Sequence, residues 1–184
     1  MSDREAALEA VMRGREERAA TQSRLLLLRG GSFVCQITLN IPGFPKRLNG
    51  DELLIKKCKE DLLRCICRMP LVEVQLDNGA GLALLQLYEG GHGVIYNTKR
   101  AGIFIEENKD YGRVVDIDVI TENGPLSRVL FNFAPRRCLL CDKDSKECAR
   151  ECNHTYEELR AGAQALIDGI RFSGARENTI KKNN

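Results

Sequence analysis

Several things are missing from this sequence of 184 residues. It has no long apolar run: the longest stretch of pure leucine, residues 25–28, is far too short to span a bilayer, which argues against a membrane partner. It has no signal-peptide anatomy, because SDREAALEAVMRGREERAA is charged throughout, and the expected location is cytoplasmic. It has no charge excess: the formal net charge is +2, so composition alone gives no reason to expect a nucleic-acid partner. It has no internal repeat and no Pro/Ser-rich linker, so the expectation is a single domain over residues 1–174 with a flexible polar tail at 175–184. What is present is an ordinary balance of 43% hydrophobic and 29% charged residues, enough for a sizeable core.

Cysteine is the abundant oddity, with eight residues. In a chain of this length without an export signal, reduced thiols or a metal site are expected over a disulfide framework. Cys35, Cys58, Cys65 and Cys67 lie singly in apolar segments and read as core filler. Cys138, Cys141, Cys148 and Cys152 crowd together with His154.

Periodicity sketches the elements. Ser2 and Glu5 form a capping box at a helix start, Gly14 reads as a break, and helical character resumes to about Leu28. FVCQITL (33–39) alternates as a strand, and NIPGFPK is a loop. Leu54, Cys58, Leu62, Cys65 and Ile66 mark a helix that Pro70 stops. PLVEVQL and LALLQLY make a hairpin around DNGAG, and EGGHG reads as a flexible loop. VIYNTKRAGIFIEENK has mixed character and leans to a helix in its second half. RVVDIDVI is a strand, with LSRVLFNF as its returning partner after ENGP. Residues 135–154 read as an irregular cysteine-rich loop, and Thr155 with Glu158 caps a last helix.

Asp is depleted in strands, yet Asp116 and Asp118 sit in the apolar strand GRVVDIDV. Side chains two apart share a face, which sets the carboxylates roughly 6 to 7 Å apart at Cα. Two hard oxygen donors on a rigid strand suit Mg²⁺ and phosphoryl or nucleotidyl transfer. The same spacing also occurs on solvent-facing edge strands without any function. Arg113 has the opposite parity and reaches a phosphate near the acids only if the strand bends at Gly112.

Cys138-x2-Cys141 has the spacing of half a zinc site, with Cys148, Cys152 and His154 available to complete it. Unliganded thiols under a loop and a redox-sensitive pair are the other readings. The arginines and lysines around the cluster form either a solvated loop or an anion site. His92, between glycines, reads as an exposed loop residue, and Lys46 lies on a rigid proline-rich loop that reads first as a plain turn and second as a phosphate contact.

Together, GRVVDIDVITENG, PRRCLLC-x6-CAR, REERAATQ (15–22) and NIPGFPK (40–46) resemble the holo-citrate lyase synthase family, also called apo-citrate lyase phosphoribosyl-dephospho-CoA transferase. The resemblance implies an enzyme of nucleotidyltransferase type. It would move phosphoribosyl-dephospho-CoA from its triphosphate precursor to a serine of the citrate lyase acyl carrier subunit, releasing pyrophosphate. It implies that Asp116 and Asp118 are catalytic and hold Mg²⁺, and that Arg18, Lys46, Arg113, Arg136 and Arg137 bind phosphates. Cys138, Cys141, Cys148 and His154 match the family's three cysteines and histidine, a set that could take structural Zn²⁺, while Cys152 is extra. The family pattern has His-Pro-Leu where this chain reads Lys109, Asp110 and Tyr111, so Lys109 would have to supply a cation there, and an inactive relative is one reading of that departure. The expected fold is a single α+β domain, nucleotidyltransferase-like, with a mixed, largely antiparallel sheet, helices on one face and a cysteine-rich loop. A rival expectation is a zinc-stabilised binding module whose basic loop contacts nucleic acid or an acidic protein.

Overall fold

Alternation in FVCQITL puts Phe33, Cys35 and Ile37 on one side of a strand and Val34, Gln36 and Thr38 on the other. In the computed structural model, which describes residues 2–180 and all their side chains except those of His92 and 171–180, this strand is the centre of the molecule. It is β1 (Phe33–Leu39), flanked by β3 (Gly81–Tyr88) and β4 (Val115–Thr121). β2 (Val72–Asn78) lies outside β3 and the two-residue β5 (Gly124–Pro125) outside β4, giving the order β2-β3-β1-β4-β5. Among the described residues every strand pairing is antiparallel, so the largely antiparallel sheet expected from sequence stands, and only its mixed part is corrected.

Helices α1 (Asp3–Leu27), α2 (Asp51–Ile66), α3 (His92–Asn108), α4 (Ser145–Arg150) and α5 (Tyr156–Ile180) complete the domain. Phe33, Cys35 and Ile37 pack with Leu54, Cys58 and Leu62 of α2, Ile105 of α3 and Ile167 of α5. Val34, Leu85 and Leu87 face the other way, against Leu25 of α1. Helices therefore cover both faces, not one: α1 alone takes the second face. The fold class, α+β in a single domain, stands.

Gly14 does not break α1. A Cβ there would lie 2.4 Å from Asn78 Oδ1 and 2.6 Å from the Ala80 nitrogen, so the glycine lets the helix pass hard against the β2–β3 turn. Both capping boxes form, at Ser2/Glu5 and at Thr155/Glu158. α3 begins at His92, so it takes the last two residues of the expected EGGHG loop and all of the segment of mixed character except Lys109; the His92 side chain lies outside the described part. The tail drawn at 175–184 falls partly on the last turns of α5, and beyond residue 180 outside the described residues. No helix among the described residues is long and apolar enough to cross a membrane. Cys35 and Cys58 are buried as expected, but Cys65 and Cys67 are exposed at the end of α2.

LSRVLFNF is not a returning strand. Pairing stops at Gly124–Pro125, and Arg128–Phe131 coil into a short 3-10 turn capped by Ser127. Side chains satisfy the outer edge of β4 instead. Glu106 accepts the Ile117 N–H at 2.7 Å, Lys99 donates to the Ile117 carbonyl at 3.0 Å, and Arg136 donates to the Val115 carbonyl. Backbone groups that a neighbouring strand would pair are thus met by charged residues of α3 and the segment after the 3-10 turn.

Candidate active site

Asp116 and Asp118 leave β4 on the α1 face, opposite Thr38 and Gln36 of β1. Their side chains are 41% and 36% exposed, open enough to meet a ligand. Arg136 Nη1 holds Asp116 at 2.8 Å, and Lys99 Nζ stands 3.7 Å from Asp118. Lys99 is itself buried, so its charge is directed at the strand and its acid rather than at solvent. Glu106 is a third acid of this group: it faces Arg136 at 4.0 Å and Arg128 at 3.1 Å. Burial first, and then the Asp116 charge, raise the Asp118 carboxyl above the usual range against the pull of Lys99 and Arg136. Glu106 is also raised, by burial, with Arg136 opposing.

Helix α1 brings cations to the same face. Arg18 lies three residues after Arg15, one turn along the helix. Burial and the Arg15 charge lower the Arg18 pKa, while Asp116 and Asp118 pull it upward, which puts the guanidinium within electrostatic reach of both aspartates. Arg18 Nη2 donates to the Ala80 carbonyl at 3.2 Å, and its Nε is buried without a partner. Lys46 is held below its usual range by burial, then by Arg15 and Arg160, and donates to the Ile41 carbonyl at 2.7 Å. Arg160 of α5 clamps the loop that carries Lys46, donating to the carbonyls of Pro42 at 2.9 Å and Pro45 at 2.8 Å. Arg15 is thus within electrostatic reach of both Arg18 and Lys46, and Arg18 within reach of both aspartates, the first of which Arg136 holds.

Two further candidates point elsewhere. Arg113 precedes β4, and it donates to the carbonyls of Cys138 at 3.2 Å and Cys141 at 3.1 Å and to Asp142 at 2.9 Å. Arg137 is mostly exposed and shares Asp142 at 3.4 Å. Neither contacts an aspartate of β4. Gly112 does not swing Arg113 towards the acids; a Cβ there would meet the Glu106 carbonyl oxygen at 2.3 Å, so the glycine serves the close approach of α3.

The cysteine-rich segment is more regular than expected, because it contains α4. Sγ of Cys138, Cys141 and Cys148 and a ring nitrogen of His154 all lie within 4.8 Å of one another. Cys152 is exposed and outside that group. Burial acts to raise the Cys138 thiol, but backbone N–H groups of Leu140 and Cys141 donating to its sulfur leave it below its usual range.

A model of the apo-citrate lyase phosphoribosyl-dephospho-CoA transferase family matches residues 6–170. The chain belongs to this family. Among similar proteins, a probable apo-citrate lyase phosphoribosyl-dephospho-CoA transferase of Streptococcus pyogenes is 30% identical over 169 residues, 87% of this chain and 84% of that protein. The protein CitXG of Haemophilus influenzae is 29% identical over 174 residues, 90% of this chain; the chain spans about a third, 36%, of that relative's length. An apo-citrate lyase phosphoribosyl-dephospho-CoA transferase of Escherichia coli is 41% identical over 73 residues, 39% of this chain and 40% of that protein.

Lys109 to Tyr111, where the resemblance leads to the expectation of His-Pro-Leu, are not at the aspartates. Lys109 lies 3.8 Å from Asp61 of α2, and the Tyr111 hydroxyl donates to Asp61 at 2.6 Å from within the main core. This departure from the transferase pattern falls on the opposite side of the sheet, so Lys109 does not supply a cation to the acids. Sequence reasoning missed Lys99 and Glu106, whose helix was read without side-chain roles, and Arg15. Arg15 had a signal: it opens REERAATQ, one helical turn from Arg18.

Proposed function

We propose that this chain performs the family's transfer: phosphoribosyl-dephospho-CoA passes from its triphosphate precursor to a serine of the citrate lyase acyl carrier subunit. The observation that carries this reading is the pair of β4 aspartates facing Arg18 on α1, all inside the matched span. In nucleotidyltransferase-type chemistry the serine oxygen forms a bond to the donor's α-phosphorus and the bond to pyrophosphate breaks. The hydroxyl proton goes to one of the two β4 carboxylates. Arg18, Arg15 and Lys46 bind the triphosphate, and Lys99 and Arg136 orient the acids. Arg113 and Arg137 have no part in phosphate binding on this reading.

Asp116 and Asp118 fit Mg²⁺: they are oxygen donors on one face of a rigid strand, and burial, with the Asp116 charge added to it, disfavours the Asp118 carboxylate without a further cation. When bound there, Mg²⁺ supplies charge neutralisation to the triphosphate. We assign the donor's organic end to a cavity of about 560 Å³ beyond the end of β4, lined by Ile95, Tyr96, Thr121, Leu126 and Phe131. A cytoplasmic setting belongs to this reading, since it keeps the free thiols reduced. The rival binding module is less favoured, because much of its basic loop is spent within the chain: Arg113 and Arg136 are engaged there, and Lys143 is paired with Glu151.

The test is incubation of the purified chain with apo-carrier, the triphosphate precursor and Mg²⁺, followed by intact mass of the carrier. A gain equal to the prosthetic group is expected. An unchanged carrier mass, with a known transferase of the family active in parallel, would reject the reading.

A further inference from the structure

We propose that Cys138, Cys141, Cys148 and His154 hold one Zn²⁺ in a closed structural centre that fixes the segment carrying Arg136 against β4. The four donor atoms already lie within 4.8 Å of one another. Sulfurs bound to zinc at about 2.3 Å in a tetrahedron sit about 3.8 Å apart. Cys141 and Cys148 are 3.9 Å apart, and Cys148 and Cys138 3.3 Å, an edge that opens by roughly half an ångström on binding. A disulfide needs about 2.05 Å, and all these thiols are free.

The second, independent observation is His154. Its Nε2 is buried with no hydrogen-bond partner, a state that is unfavourable for an imidazole nitrogen unless something is bound to it. The metal is the partner that its neighbours supply.

The chain is built to bring these four together. Cys138 N–H donates to the Lys143 carbonyl and Ser145 N–H to the Arg136 carbonyl, both at 2.8 Å, closing a tight hairpin around Cys138 and Cys141. Asp144 then caps α4 by accepting from Lys146 N–H at 2.7 Å and Glu147 N–H at 3.1 Å, which turns Cys148 back towards the hairpin. Cys152 adopts a left-handed conformation with φ 51°, and Asn153 N–H returns to the Cys148 carbonyl at 3.3 Å, so His154 doubles back as well.

Charge also fits. Three thiolates and a neutral imidazole around Zn²⁺ leave one net negative charge. Arg113 donates to the carbonyls of both hairpin cysteines and sets a guanidinium beside it. This gives Arg113 its function. All four positions are protein ligands, leaving no open position for water or substrate, so the centre is structural. What it secures is Arg136, two residues before Cys138, which bonds the Val115 carbonyl and pairs with Asp116.

The experiment is metal analysis by plasma mass spectrometry on the full chain, purified without chelators from zinc-containing medium. One zinc per chain is expected, kept by Cys152→Ser and lost by Cys148→Ser. Because Cys148→Ser could fail to fold, the unmutated chain is also stripped under reducing conditions and titrated with Co²⁺. Thiolate-to-cobalt charge transfer with tetrahedral d–d bands is expected, together with a lower Tm for the stripped chain. Substoichiometric zinc with no such bands would overturn the proposal, as would a mass lower by two hydrogens from a Cys138–Cys148 disulfide that persists in the freshly purified chain. Carrier modification is read separately, so loss of this proposal leaves the transfer reading standing, and the reverse.

Discussion

At the scale of residues, the site is an exercise in incompletely balanced charge. Asp116 is nearly half exposed and paired with Arg136, so Asp116→Asn should cost little stability, about 0–1 kcal/mol by thermal denaturation. Its effect on turnover should be far larger, a loss of roughly 100- to 1,000-fold in carrier modification, because positioned charge carries most of such a reaction. A drop of only a few-fold would remove Asp116 from the chemistry. Asp118 behaves differently. Its folded-state pKa is raised, so the folded chain holds this proton more tightly than the unfolded chain, and stability falls as pH rises from about 3.9 through the raised value. Asp118→Asn should therefore raise Tm at neutral pH while abolishing transfer, and the Tm gain should shrink in acid. A scan of Tm against pH for both chains checks this, and a lower Tm for the variant at neutral pH would contradict it. The aspartates were legible in the sequence because acids stand out in an apolar strand. Lys99 was not, since nothing local marks a lysine on a helix as buried.

At the scale of elements, the strongest local signals held and the weak ones yielded to tertiary contacts. Both capping boxes and the alternation of β1 were readable because their causes lie within a few residues. The returning strand was misread because Val129, Phe131 and Phe133 imitate strand alternation, while Ser127 accepts from Val129 N–H and Asn132 takes a left-handed conformation, both favouring a turn. Gly14 was misread for a related reason: glycine weakens a helix on average, but here its bareness is what the packing requires. In an exposed helix Gly→Ala stabilises by about 1 kcal/mol. Gly14→Ala should instead destabilise by about 1–3 kcal/mol, since its methyl would overlap Asn78 and Ala80. Urea denaturation decides between the two signs.

At the scale of the whole molecule, the sequence supports one α+β domain but not its two-sided cover. α1 buries only Val11, Gly14 and Leu25, too sparse a stripe to announce which face it serves. The site has the same difficulty, since Arg18 and Asp116 are brought together only by the sheet. The other side is tied by Asp61, which joins α2 to Tyr111 and Lys109. Burial pushes its carboxyl up, but the Tyr111 hydroxyl, Lys57 and Lys109 outweigh this and leave it below the usual range. That stabilisation is full above about pH 3.9 and is lost as pH falls through the folded value. Asp61→Asn should cost about 1–3 kcal/mol near neutrality, with the deficit vanishing in acid, as followed by Tm against pH. Where β5 does not cover it, the outer edge of β4 terminates in ions: Lys99, Glu106 and Arg136 occupy the bonds that another polypeptide would use to extend it. Any strand arriving there from an aggregating neighbour would first have to evict three charged groups, so this stretch of edge resists growth of the sheet without a covering strand.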